Sequence, residues 1–156
     1  MPADEDGLTK AELAFLRALD EAGVRYMVIG MAAALIQGAD AATEDIDLWL
    51  EHADASVLRR IATELGAFYT DRTQPPMLGQ GGLDRIDLVT LRHGLGSFEE
   101  EMENTRIYRV ADVDVPVLSL ERIIASKRAA GRPKDQANLL QLENALRALR
   151  LRTEDD

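Results

Sequence analysis

Two stretches set an aspartate in the middle of apolar sequence: "DIDLWLE" at residues 45–51 and "RIDLVT" at residues 85–90. Asp47 stands between Ile46 and Leu48 just as Asp87 stands between Ile86 and Leu88. The alternation predicts β-strands, the first with Ile46, Leu48 and Leu50 on one face and Asp45, Asp47 and Trp49 on the other. Side chains at i and i+2 leave one face of a strand about 7 Å apart, so Asp45 and Asp47 converge on one point. Carboxylates held together repel and raise each other's pKa unless a cation stands between them.

Spacing alone is weak, because Asp-x-Asp recurs at Asp4/Asp6 and at Asp112/Asp114. The first of these lies in an acidic chain end and the second at a hairpin turn, where aspartate is ordinary turn chemistry. Only Asp45 and Asp47 combine a strand, an upstream glycine step and a second acidic strand. In that step "VRYMVIG" reads as a buried strand closing at Gly30, and "MAAALIQG" as a helix whose first amides face a phosphate. Carboxylates on a rigid strand suit Mg²⁺ or Mn²⁺, which leave further coordination sites to water and substrate phosphates. Three carboxylates on two neighbouring strands suit two metal ions in an in-line phosphoryl or nucleotidyl displacement. On residues alone, a strand with an exposed aspartate and a plain strand-to-helix turn remain the alternatives.

The rest of the chain supplies the frame. "TKAE" offers a capping box from Thr9 to Glu12 for a helix that stops at Gly23. Asp54 caps "SVLRRIATELG", and the segment from Phe68 to Gly82, with Pro75-Pro76 and three glycines, reads as a loop. "GLGSFEEEMEN" reads as a turn and a short acidic helix. "RIYRV" and "VDVPVL" alternate as a hairpin about Ala111-Asp112, with Pro116 suited to an edge. Ser119 caps a helix ended by Gly131, and Pro133 starts the last one. The fold class is therefore α/β (α+β): a mixed sheet of about five strands flanked by helices, with a C-terminal helical pair over residues 119–150. A length of 156 residues fits one domain, with residues 1–7 and 152–156 expected as frayed ends.

Charge limits the partners. The net charge of −10 opposes non-specific binding to nucleic acid or to an anionic membrane. Residues 120–152 nevertheless carry a net charge of +5, so a polyanion would meet that segment. There is no cysteine, which excludes disulfides and thiolate metal sites, and no apolar run of membrane-spanning length, so a cytoplasmic protein is expected. The chain has 15 Arg and 3 Lys, and two of the lysines, Lys127 and Lys134, lie together in "SKRAAGRPKDQAN". A lysine kept where arginine is the rule suggests a compact ammonium at a triphosphate.

With Gly30, Asp45, Asp47, Asp87 and the Lys127 segment in this order, the chain resembles the nucleotidyltransferase superfamily of the DNA polymerase beta type fold. The resemblance covers roughly Val24 to Leu146 and rests on four motifs together. It is closest to the small bacterial group that includes the AbiEii-like toxins of toxin-antitoxin and abortive-infection systems. It implies that Asp45, Asp47 and Asp87 bind metal, with Asp87 also activating the acceptor hydroxyl. It further implies that Gly30, with Met31 beside it, supports the nucleotide phosphates, that Lys127 reaches the triphosphate, and that Lys134 and Asp135 fix nucleotide or the metal-site surroundings. The implied activity is Mg²⁺- or Mn²⁺-dependent transfer of an NMP from an NTP to an RNA or tRNA, protein or small-molecule hydroxyl, in a toxin with a cognate antitoxin as one setting.

Three positions depart from the family pattern. Met31 replaces a second Gly or a Ser, Ala41 replaces an Arg, and Asn138 replaces an Asp. These departures motivate the alternative of an inactive nucleotide- or protein-binding module on the same fold. His52 and His93 read as strand-end or turn residues, "GQGG" at 79–82 as a flexible rim over the acidic strands, and Trp49 as a packed strand residue with base stacking as its alternative.

Overall fold

The computed structural model describes residues 7–39, 44–52, 54–89 and 92–155. Asp4, Asp6 and Ala41 lie outside these residues. The elements in chain order are α1 (Lys10–Glu21), β1 (Tyr26–Ile29), α2 (Gly30–Ile36), β2 (Ile46–Leu50), α3 (Ala55–Glu64), β3 (Phe68–Thr70), β4 (Met77–Gly79), β5 (Ile86–Leu88), α4 (Phe98–Met102), β6 (Thr105–Val110), β7 (Val113–Leu118), α5 (Leu120–Ala130) and α6 (Pro133–Asp155).

Local chemistry places the helix ends. Thr9 and Glu12 form the reciprocal capping box of α1, Asp54 accepts from the amides of Ser56 and Val57, and Ser119 accepts from the amide of Arg122. Gly131 closes α5 in the left-handed region at φ 64°. A second capping box, Ser97 with Glu100, starts α4.

The sheet has seven strands in the order β3-β4-β5-β2-β1-β7-β6. β1 lies antiparallel to β2 with Ile29 opposite Asp47, and β2 lies parallel to β5 with Asp47 opposite Asp87. Ile29, Asp47 and Asp87 therefore form one row across three adjacent strands. α2 packs on β1 and β2 and against α5, α5 packs on α6, and α1 packs against α3 and β7. Met27, Val28, Leu48, Val115 and Val117 are completely buried at the centre.

The sheet exceeds the five strands expected because the segment read as a loop contains β3 and β4. They pair antiparallel, Phe68 with Gly79, and β4 continues onto β5 with Met77 opposite Asp87. Each has three residues, too few for alternation to register, and the sheet supplies the pairing. Pro116 is interior rather than at an edge, since β7 lies between β1 and β6. The register of β7 with β1 is a single pair, Val28 with Val117, so a missing amide donor costs that ladder little. Gly79 of "GQGG" is buried in β4, and Gln80, Gly81 and Gly82 follow it exposed, the two glycines close to neighbouring atoms. A Cβ on Gly82 would stand 2.8 Å from that of Ala11, and one on Gly81 2.9 Å from the carbonyl oxygen of Leu65.

Candidate functional site

The acidic row lies where β1 ends. Gly30 turns the chain from β1 into α2 at φ 69°, a conformation that favours glycine, and a Cβ there would collide with the Asp47 carboxylate. Glycine thus lets the turn close over Asp47. Asp45 is exposed just before β2, Asp47 is half-buried within it, and Asp87 is exposed on β5. Neighbouring strands stand about 4.8 Å apart and register partners share a face, so Asp47 and Asp87 are direct neighbours.

Their electrostatics match that placement. Burial pushes the Asp47 carboxyl up to about 6 and Asp87 adds to it; Lys127 pulls it back, Asp45 pushes it further and Lys134 opposes. The Asp87 carboxyl is also raised, by burial and then by Asp45, with Lys134 opposing. Burial leads both shifts and the neighbouring carboxylates add to it, so ionising the row is unfavourable until a cation joins it.

A cavity of about 80 Å³ opens beside Asp47. Pockets for drug-sized ligands run roughly 300–1,000 Å³, so this one takes a phosphate-sized part of a ligand. Its polar lining includes Asp47, Arg92, His93, Ser126, Lys127 and Arg132, with Gly30 at its edge. Lys127 points from α5, and its Nζ donates to Asp135 Oδ1 at 3.1 Å. Arg132 Nε donates to the other oxygen of the same carboxylate at 2.7 Å.

Asp135 itself is fully buried. Burial alone would raise its carboxyl, but hydrogen bonds from Arg132 and Lys127 outweigh it and hold it down at about 2. Its role in the structure is to fix two cations at the cavity. Asp45, Asp47, Asp87, Gly30, Lys127 and Lys134 are brought together in contact or by charge, and Asp135 stands behind Lys127. Met31 packs against the apolar core and is not part of the cavity lining. Asn138 is half-buried on α6.

Sequence reading gave Arg92 and His93 no place at the site, and took in Ser126 and Arg132 only as part of the basic segment 120–152. The arginines belong to a chain with 15 of them, so type alone marks none. Arg92 lies over the Trp49 ring, 4.4 Å from its centre, and Phe98 meets that ring edge-on at 5.4 Å. Trp49, 3% exposed, is thus a packed residue that carries Arg92, and base stacking by it is ruled out by its burial. His93, read as a turn residue, lies after β5 and lines the cavity.

Among the described residues, no group of three or more His, Cys, Asp or Glu is arranged to hold a metal ion. Magnesium does not require one, since it takes one or two carboxylates and completes its shell with water and substrate phosphates. The oxygen-only row at Asp47 and Asp87, its carboxyls raised by burial and by neighbouring carboxylates, fits that donor chemistry.

A family described as nucleotidyl transferase of unknown function, DUF2204, matches residues 9–156. No curated protein matches the sequence. Among solved structures, the antibiotic-resistance factor ANT(2'')-Ia in solution aligns at 18% identity and a TM-score of 0.56, covering 94% of each chain. ANT(2'')-Ia in complex with adenylyl-2''-tobramycin aligns at 17% identity and 0.57, over 87% of this chain and 86% of that one. An antigenic nucleotidyltransferase-like protein from Paracoccidioides brasiliensis aligns at 16% identity and 0.56, over 99% of this chain and 92% of the other. At these identities the likeness to the solved structures is one of fold. No helix among the described residues is long and apolar enough to cross a membrane.

Proposed function

The chain belongs to the DUF2204 nucleotidyl transferase family, and from that premise we propose that it transfers an NMP from an NTP to an acceptor hydroxyl with Mg²⁺ or Mn²⁺ held at the acidic row. One observation carries the reading: Asp47, in register with Asp87 and pushed up to about 6, faces a cavity whose other charged groups are cationic. Negative charge on the strands suits a divalent ion, and the positive lining suits the phosphates that come with it.

Asp45, Asp47 and Asp87 would hold the metal, which when bound neutralises phosphate charge and favours an ionised acceptor. Lys127 and Arg132, both held by Asp135, bind phosphate oxygens from the far side of the cavity. Lys134 adds positive charge near Asp47 and Asp87. Gly30 leaves room for Asp47 and for a phosphate beside it. Asp87 accepts the proton of the acceptor hydroxyl, whose oxygen forms a bond to the α-phosphorus as the bond to pyrophosphate breaks.

Acceptors in this reading are hydroxyls on RNA, on protein or on an aminoglycoside, the last suggested by the tobramycin adduct of ANT(2'')-Ia. A toxin role would make RNA or protein the acceptor and add an antitoxin as partner. The test is transfer of label from each α-labelled NTP to tRNA, total protein and tobramycin, with parent, Asp45→Ala and Asp87→Ala. Label should move only with metal and only in the parent. Transfer undiminished in either variant would sink the proposal.

A further inference from the structure

A second cavity, of about 270 Å³, lies at the end of β1 remote from Gly30 and shares no lining residue with the first. The four residues of β1 separate the two by about 10 Å. Asp20, Arg25, Tyr26 and Asp114 are its polar lining, and Val24, Met102 and Pro116 supply hydrocarbon. Tyr26 is 2% exposed, and its hydroxyl is a buried side-chain oxygen with no hydrogen-bond partner. An unpartnered buried hydroxyl is costly, and few are tolerated in a folded chain.

Two carboxylates act on that hydroxyl. Burial raises the Tyr26 phenol, and Asp20 and then Asp114 raise it further. Burial and then Asp114 raise the Asp20 carboxyl in turn. Among the described residues Asp20 has no ion pair, and Asp114 has one, to the exposed Arg109 at 2.9 Å. Arg25, the other charged lining group, is bound to Glu51 and Glu99, so Asp20 has no cationic partner among the described residues and Asp114 has only Arg109.

We propose that this cavity binds an alkylammonium group, with its N–H donors on Asp20, Asp114 and the recessed Tyr26 hydroxyl oxygen and its methylenes against Val24, Met102 and Pro116. An ammonium has three donors and no acceptor, which matches three acceptor side chains. A bare divalent ion matches less well, because it seeks six or more oxygens and much of this wall is hydrocarbon. The acidic net charge of the chain draws any such cation toward it. Two sources share the chemistry, a free diamine and the lysine side chain of a peptide.

The test follows the Met102 and Ile107 methyl resonances during titration with cadaverine and, separately, with Nα-acetyl-lysine amide. Saturating Mg²⁺ keeps the amines from the acidic row at Asp47. Saturable shifts are expected, with affinity reduced about tenfold or more in Asp20→Asn and in Tyr26→Phe, as for loss of a charged hydrogen bond. Tyr26→Phe removes only the orphan oxygen and keeps the shape of the core, so it tests binding rather than folding. Asp87→Asn should bind as the parent does, which separates this site from transfer activity. Tighter binding of cadaverine identifies a free diamine, and tighter binding of the lysine amide identifies a peptide. Binding that survives Asp20→Asn, binding lost in Asp87→Asn, or no saturable shift at millimolar amine overturns the proposal.

Discussion

Replacing Asp47 with asparagine removes a charge that its surroundings disfavour, and the consequence for stability has a definite sign. The carboxyl is raised from 3.8 to about 6, chiefly by burial and next by Asp87. At about 1.4 kcal/mol per unit, the ionised group costs the fold about 3 kcal/mol. The folded value lies above the unfolded one, so the folded chain keeps its proton longer. The cost is absent at low pH, grows as pH rises from 3.8 to about 6, and is complete above that. Asparagine preserves the shape and never ionises. Asp47→Asn should therefore be more stable than the parent by up to about 3 kcal/mol at about pH 8, and equal to it near pH 4. For a chain of this size each kcal/mol moves the melting temperature by about 2–4 °C, so a rise of about 5 °C or more is expected at the higher pH. Thermal unfolding followed by circular dichroism in metal-free buffer, across that range, measures it. Added Mg²⁺ should narrow the gap by stabilising the parent alone. An equal increment at both ends of the range, or none at about pH 8, would refute the reasoning.

Other perturbations test other parts of the frame. Asp135→Asn leaves Lys127 and Arg132 without their shared counter-charge and should cost about 3 kcal/mol in urea unfolding. Because the Asp135 carboxyl is held at about 2, below its ordinary 3.8, this contribution is complete above about pH 4 and disappears as pH falls through about 2. Gly30→Ala meets both the left-handed φ and the Asp47 carboxylate, so it should cost more than about 1 kcal/mol and reduce triphosphate affinity, measured by calorimetry. Glu101→Gln breaks a buried two-point ion pair to Arg122 at 2.7 and 2.9 Å and should lower stability by about 2–3 kcal/mol without changing transfer of label.

Much of this was written locally. The capping box at Thr9, the turn at Ala111-Asp112 and the left-handed glycine at 131 depend on neighbours within a few residues, and the side-chain chemistry of those neighbours is enough to name them. The acidic strands were legible for the same reason, since an aspartate between Ile and Leu keeps the period of two. The strands β3 and β4 were not, because each is shorter than the pattern that would reveal it and exists through pairing with β5.

The site divides along the same line. By itself the sequence determined that Asp47 and Asp87 sit on strands, that glycine stands at the end of β1 and that Lys127 and Lys134 belong to one basic segment. Tertiary structure decided that Asp47 stands opposite Asp87 and that Asp135 is buried beneath Lys127 and Arg132. It also decided that Arg92, carried on Trp49, joins the cavity, and that Tyr26 is left without a partner between Asp20 and Asp114. Register and burial are set by contacts between residues far apart in the chain, and a local pattern of side chains holds no record of what will face it.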